Sequence, residues 1–345
     1  EYNFSAGVDQ TVPILGKISK RIAVAKEELA RAEWELHDTE RRLIAEVKRT
    51  FRNAQVVGER IGLANSLASL NQRLFEIAKA RFNKGEVSEL DVHQFEIELK
   101  QRQQEVKVLL SERTSALLEL SRLLNIPYKE DLMLSSEIAG ELELPPLTSL
   151  LNVAQNRPDI KAAQTEVSVI EKEHKLILAE RWDDPNVGFF FSREKSVFDE
   201  PIELSDIDSF AGVRITVPLP LFYRKEGELA QNLAGIKSAE ARVLAETVRV
   251  DREVRDAYQK VEAQIGILKN YQAGIIEMVE KNVELAEKAY SMGLTNVVQL
   301  IQVQQQFFNL KDARLDALRI YYQALSDLEA GVNMPLSEVP TDGGL

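Results

Sequence analysis

From Lys17 to Asn83 the chain runs for about 65 residues without a proline and with only two glycines, Gly58 and Gly62. Apolar residues recur at three- and four-residue steps: Leu29, Ala32 and Leu36, then Leu43, Val47 and Phe51, then Ile61, Ala64, Leu67 and Leu70. That period predicts one helix over 17–83. At about 1.5 Å per residue it spans roughly 100 Å. No single globular core accommodates such an element. Its apolar stripe is narrow and alanine-rich and its other face is charged, so it must pack laterally as coiled coil. A second helix of similar length is expected over 224–292.

Each giant helix is followed by the same interruption. "RFNKGEVSELDV" (Arg81–Val92) and "AYSMGLTNVVQL" (Ala289–Leu300) each place an aromatic, Phe82 or Tyr290, three residues before a glycine, Gly85 or Gly293. Helix resumes after each, over 89–125 and 296–331. Glycine permits the positive φ that ends a helix, so both sites read as hairpin tips where an outbound helix turns back. The aromatic can pack across the neck. A lone example fits an ordinary helical hairpin better; two in register are more specific.

The interruption belongs to a larger repeat. "AGVDQTVPI" (Ala6–Ile14) matches "AGVRITVPL" (Ala211–Leu219), and "EVKRTF" (Glu46–Phe51) matches "EVRDAY" (Glu253–Tyr258). These matches lie about 205 to 208 residues apart. The first repeat is expected over 1–146, with a strand at 3–14, the helices 17–83 and 89–125, and a linker at 126–146. The second is expected over 147–332, with a helix at 147–181, strands at 186–193 and 210–217, and the helices 224–292 and 296–331. Between those strands, "VFDEPIELSDIDS" reads as an acidic loop. Residues 333–345 read as a disordered tail. The helix and strand at 147–193 have no counterpart in the first repeat, so by symmetry about 50 further residues are expected upstream of Glu1.

The strands alternate with period two. Phe4 and Val8 share one side of the first, and Val213, Ile215 and Val217 one side of the third. Strands of about ten residues suffice to cross a bilayer when tilted. A spanning sheet must close, because an open edge in lipid leaves backbone groups unpaired. Three strands, or four with an upstream partner, cannot close alone, so closure would need several chains. On pattern alone the strands fit equally a small soluble pair packed on helices.

Other chemistry is excluded or missing from the sequence. The formal net charge is −12, the wrong sign for a nucleic-acid partner. No run of apolar residues is long enough for a transmembrane helix. Cysteine is absent, so there are no disulfides and no thiolate chemistry. His37, His93 and His174 are far apart and read as surface helix residues. No phosphate loop, nucleophile elbow or HExxH motif is present. The chain is not expected to be an enzyme, to hold a cofactor, or to bind a metal tightly.

Taken together, "FNKGEVSELDV", "YSMGLTNVVQL", "NRPDI" (Asn156–Ile160) and "GVRITVPLPLFYRKEGELAQ" (Gly212–Gln231) resemble the TolC-like outer-membrane efflux family over nearly the whole chain. The last of these, with "QTVPILGKISKRIAVAKEELARAE" (Gln10–Glu33), resembles the branch associated with heavy-metal cation efflux. The resemblance implies a mainly helical protomer with a small β part. In it, three identical chains share a 12-stranded barrel and a periplasmic α-helical tunnel, and this chain lacks the family's N-terminal helix and first strand. It implies a bacterial outer-membrane protein with a long periplasmic portion. Its partners would be two further copies, a periplasmic adaptor, an inner-membrane pump of the RND type and outer-membrane lipid. Passive export of metal cations or small toxic compounds is expected; a soluble coiled-coil scaffold and an exit duct for type I protein secretion are the alternatives.

By motif position the resemblance also implies an entrance latch using Asp91 and Tyr290, with Thr295 where the family's latch arginine stands. Gln299 and Gln302 fall where the entrance narrows, three apart and so on one helix face. The two glutamines fit a solvated coiled-coil face equally, and Asp91 fits a charge favoured at a helix N-terminus.

Overall fold

The structure is a computed structural model that describes residues 2–129, 134, 144–198, 204–220, 222–272 and 274–339. In chain order its elements are β1 (Tyr2–Thr11), α1 (Lys17–Asn83), α2 (Glu89–Leu123), α3 (Leu147–Ala154), α4 (Pro158–Glu180), β2 (Asn186–Phe198), β3 (Leu204–Thr216), α5 (Glu226–Gln272), α6 (Ile275–Ser291) and α7 (Val297–Val332). A 3₁₀ turn follows at Leu336–Glu338.

Several boundaries differ from the sequence reading, each for a local reason. The helix expected over 147–181 is two helices. Pro158 opens α4, where its missing N–H costs nothing, and it disfavours helical geometry at the residue before it. The helix expected over 224–292 is broken at Gly274, whose φ of 90° lies in the left-handed region. The strand expected over 3–14 ends at Thr11, two residues before Pro13, which has no N–H to give to a ladder. The segment read as an acidic loop instead continues β2 to Phe198 and begins β3 at Leu204. Aspartates alternating with Ile207 satisfy the strand period as well as a loop would. β3 stops at Thr216, so Val217 lies one residue past the strand. The expected tail is partly ordered, with Leu336 and Val339 buried; its last residues, and most of the expected 126–146 linker, lie outside the described residues.

The chain forms two compact units, Glu1–His37 with Pro158–Thr247, and Asp38–Arg157 with Val248–Leu345. Neither is one of the sequence repeats, because each unit takes segments from both.

The first unit carries the antiparallel sheet, ordered β1-β2-β3. The register places Val8, Phe189 and Val213 in one row, Ala6, Phe191 and Ala211 in the next, and Val187 beside Ile215. This apolar face is open to the surroundings: Val8 is 72% exposed and Ile215 67%. The opposite face carries Asp9, Arg214, Glu194 and Asp208 by the same register. Two glycines there are closely approached by side chains. A Cβ on Gly212 would lie 2.7 Å from the Phe190 ring, and one on Gly188 would lie 2.0 Å from the Asp9 carboxylate. Where strands meet helices, Asp184 accepts from the Ile14 N–H at 3.0 Å and from Lys17 Nζ at 2.6 Å. The two donors hold its carboxyl below the usual range, Lys17 more strongly than Ile14. Lys17, 3% exposed, also donates to the Trp182 carbonyl, so this buried cation is paired with a carboxylate and a carbonyl.

The second unit buries alanine and valine along two of its helices, Ala54, Val56 and Ala64 from α1 and Val254 and Val261 from α5, and leucine from a third, Leu315, Leu318 and Leu328 of α7. Small side chains let long helices approach closely along their length. The arginine of "NRPDI", Arg157, is 1% exposed and donates to Glu253 Oε2 at 2.9 Å and to the Gly331 carbonyl at 3.4 Å. It ties the α3–α4 connection to α5 and the end of α7.

Candidate channel entrance

The two interruptions fold into the same local structure. At the first, the Glu86 N–H reaches back to the Arg81 carbonyl at 3.0 Å and the Gly85 N–H to the Phe82 carbonyl at 2.8 Å. At the second, the Leu294 N–H bonds the Ala289 carbonyl at 2.8 Å and the Gly293 N–H the Tyr290 carbonyl at 3.0 Å. Both are Schellman motifs, with Gly85 and Gly293 each at φ 74°. Three residues on, Ser88 and Asn296 cap the return helices α2 and α7, accepting from the backbone N–H groups of Asp91 and Gln299. The Asp91 carboxylate completes a capping box by accepting from the Ser88 N–H at 3.1 Å.

One hydrophobic cluster joins the two hairpins: Leu74 and Ala78 of α1, Phe95 of α2, Tyr290 of α6, Val297 and Leu300 of α7. The aromatics of the repeated motif part company here. Tyr290 is buried, 2% exposed, with its ring edge-on to Phe95 at a centroid distance of 5.4 Å. Phe82 is 41% exposed and does not pack across the neck. Burial pushes the Tyr290 phenol above its ordinary range, Arg81 opposes this, and Asp91 adds to it. Its hydroxyl is buried with no hydrogen-bond partner among the described residues.

Arg81 holds the tips together, and the sequence reading missed it. Its Nη1 donates to the Tyr290 carbonyl at 2.9 Å, its Nε faces Glu86 at 3.2 Å, and its guanidinium lies 5.4 Å from the Tyr290 ring centroid. A Cβ on Gly293 would come within 3.5 Å of Nη2. The one available signal was an asymmetry: where the first tip has Arg81, the second has Ala289.

The remaining expected residues lie on α7 and just before it. The Thr295 hydroxyl donates to Gln299 Oε1. Gln299 and Gln302 are exposed, while Val297 and Leu300 belong to the buried cluster. The histidines share no site. His174 faces Asn232 at 3.0 Å on the α4–α5 pair and is half-buried, so it is not the plain surface residue expected. Glu287, half-buried near the tip on α6, has its carboxyl pushed up by burial; Arg73 opposes this and Glu284 adds to it.

Comparison with known proteins places this geometry. Residues 1–125 and 150–333 match the family model described as outer membrane efflux protein. The cobalt-zinc-cadmium resistance protein CzcC of Cupriavidus metallidurans is 22% identical, with 94% of this chain and 76% of that protein covered. Among solved structures, the outer membrane protein VceC of Vibrio cholerae superposes with a TM-score of 0.72 at 16% identity, covering 97% of this chain and 80% of VceC. CusC, described for its transmembrane channel formation, gives 0.75 at 14% identity, covering 96% and 77%. At such identities the structural likeness speaks for the fold.

Proposed function

Given that the chain belongs to the outer membrane efflux protein family, we propose that three copies close one shared β-barrel in the outer membrane. The chain is an outer-membrane channel, the exit duct of a tripartite efflux system.

One observation carries the trimer. Both β1 and β3 are edge strands, and the apolar face across all three strands is exposed. In hydrocarbon an unpaired edge costs several kcal/mol per orphaned backbone group. Neighbouring copies supply partners for both edges and turn the Phe4, Val8, Val213 and Ile215 face toward lipid. A soluble scaffold leaves that face without a use. The test is the stoichiometry of the full-length protein in detergent, followed by its conductance in a planar bilayer.

The substrates in this reading are heavy-metal cations or small toxic compounds, delivered by an inner-membrane pump of the RND type through a periplasmic adaptor. The metal assignment draws on the likeness to a cobalt-zinc-cadmium resistance protein. A passive conduit needs no tight ligand set.

The hairpin tips form the periplasmic entrance in this reading. Tyr290 and Asp91 act as its latch, with Arg81 supplying the cation that Thr295 does not. The Arg81 bond to the Tyr290 carbonyl joins two hairpins of one chain, so loosening it frees them to part. Gln299 and Gln302 line the opening, each as a ring of three neutral amides. The test is single-channel conductance and reversal potential of variants at these positions.

A further inference from the structure

From Gln299 to Ala313, α7 exposes only uncharged residues: Gln299, Gln302, Gln306, Asn309 and Ala313. They recur at three- and four-residue steps, so they share one helix face. Every residue between them is half-buried or buried. At ~1.5 Å per residue, Asn309 lies roughly 15 Å along the helix from Gln299. The stripe begun by Gln299 and Gln302 thus continues as amides away from the tip.

Arg102 of α2 fixes how one of these amides points. Its side chain is 12% exposed and faces Glu105 at 2.8 Å and Glu98 at 3.7 Å. Its guanidinium also lies over the Phe308 ring, 4.5 Å from the centroid. Held there, its Nη2 donates to Gln305 Oε1 at 2.5 Å. A guanidinium has donors and no acceptor, so the Gln305 amide must turn its oxygen to Arg102. Its nitrogen is left to donate to Asn309 Oδ1, at 2.8 Å. The Asn309 oxygen is therefore spent on Gln305, and the exposed end of this side chain is Nδ2 with its two N–H groups. No acceptor among the described residues takes a hydrogen bond from that Nδ2. An asparagine on an open helix face can flip its amide; this one is oriented by a cation two hydrogen bonds away.

We propose that the Arg102–Gln305–Asn309 chain holds the Asn309 amides of the assembled copies as a ring of N–H donors, which binds anionic oxygen groups of substrates passing through the tunnel. The inference rests on the reading of the α7 stripe as lining that tunnel. It deepens that reading by substrate class: groups bearing anionic oxygen gain at this level, and bare cations do not. Donors that line a pore select without a fixed charge. Hydrogen bonds to an anion are stronger than neutral ones, and the guanidinium polarises the amides that follow it. Gln306, on the same stripe, has no such tie to Arg102 and takes no part.

The test is block of the full-length channel in planar bilayers by inorganic pyrophosphate added on the side of the hairpin tips. Wild type should be blocked. Asn309→Ala should weaken the block about tenfold, the loss of a hydrogen bond to a charged group. Asn309→Asp, which offers only acceptors, should abolish it. Gln305→Met keeps Asn309 but cuts its tie to Arg102, and should weaken the block about threefold. Gln306→Ala should leave it unchanged. Conductance before pyrophosphate shows that each variant folds and inserts. Because the chain has no cysteine, Asn309→Cys treated with a charged thiosulfonate reports this one position, and a drop in conductance on labelling places it in the lumen. Labelling that leaves conductance unchanged overturns the tunnel-lining reading of the stripe, and the donor ring with it. With lumen access shown, an unblocked wild type, or equal block of wild type and Asn309→Ala, overturns the donor ring alone. Equal block of wild type and Gln305→Met overturns the part assigned to Arg102.

Discussion

Arg81 Nη1 donates to the carbonyl oxygen of Tyr290, 209 residues further along the chain, at 2.9 Å, and so joins two helical hairpins. The same guanidinium lies over the Tyr290 ring. A charge-assisted hydrogen bond contributes about 1.5–3 kcal/mol, and a cation–π contact about 0.5–2 kcal/mol. Arg81→Ala should therefore loosen the closed entrance and raise single-channel conductance several-fold. Arg81→Lys, which keeps the charge but loses the planar fork, should recover only part of the effect. Conductance unchanged in both variants would remove Arg81 from the latch.

Tyr290 separates two roles of one side chain. Its ring fills the cluster with Phe95, while its hydroxyl is buried without a partner in the single chain. A buried hydroxyl left unsatisfied costs about 1–3 kcal/mol. Tyr290→Phe should leave stability equal or slightly higher if the hydroxyl stays orphaned in the assembled channel. If the hydroxyl serves the latch, Tyr290→Phe should raise conductance, as Tyr290→Ala and Asp91→Ala are expected to. Thermal melting and conductance on the same samples distinguish the two outcomes.

The glycines make a matched set. Gly85 and Gly293 adopt φ 74°, which a Cβ resists. Changing either to alanine should cost about 1–2 kcal/mol. Gly58 lies inside α1 with nothing within 4 Å of an added Cβ. There the identical change should stabilise by about 0.5–1 kcal/mol. Denaturant midpoints of the three variants check the opposite signs.

These tips were the most legible part of the sequence. The ending of one helix and the capping of the next are decided within a few residues, so local letters suffice. Gly85 with Ser88, and Gly293 with Asn296, announce both motifs at the same offset. The breaks at Pro158 and Gly274 were harder to read, because glycine inside a helical period is often tolerated and only the surroundings decide. Arg81 was illegible for a different reason. Its partner is a backbone carbonyl on another hairpin, and a carbonyl leaves no mark in the sequence. The strand span 204–209 was mistaken for loop because its acidic residues suggest solvent, whereas period two suits a sheet face that water also reaches.

Glu287 gives the entrance a pH dependence with a definite sign. Its carboxyl is raised in the folded protein, chiefly by burial. The stability tied to its protonated form is complete below the ordinary glutamate range and is lost as pH rises through the elevated folded value. Arg73 and Glu284 face it and set the size of the effect. Melting temperatures of Glu287→Gln and wild type should coincide at acid pH, with the variant gaining over wild type as pH rises toward neutrality. A difference that is constant across that range would contradict this assignment.

Gln299 and Gln302 test the lumen directly. Both are exposed on one face of α7, with Val297 and Leu300 directed into the cluster. Changing both to aspartate should place six carboxylates around a trimeric opening and shift the reversal potential toward cation selectivity. A potential that does not move would put these side chains on the outer surface of the helices.

If both sheet edges are closed by neighbouring copies, no single chain is complete alone. Light scattering of the full-length protein in detergent, corrected for bound detergent, tests it most directly. A homogeneous particle of three protomers that precipitates when detergent is withdrawn is expected. A monodisperse single protomer, stable without detergent, would contradict it.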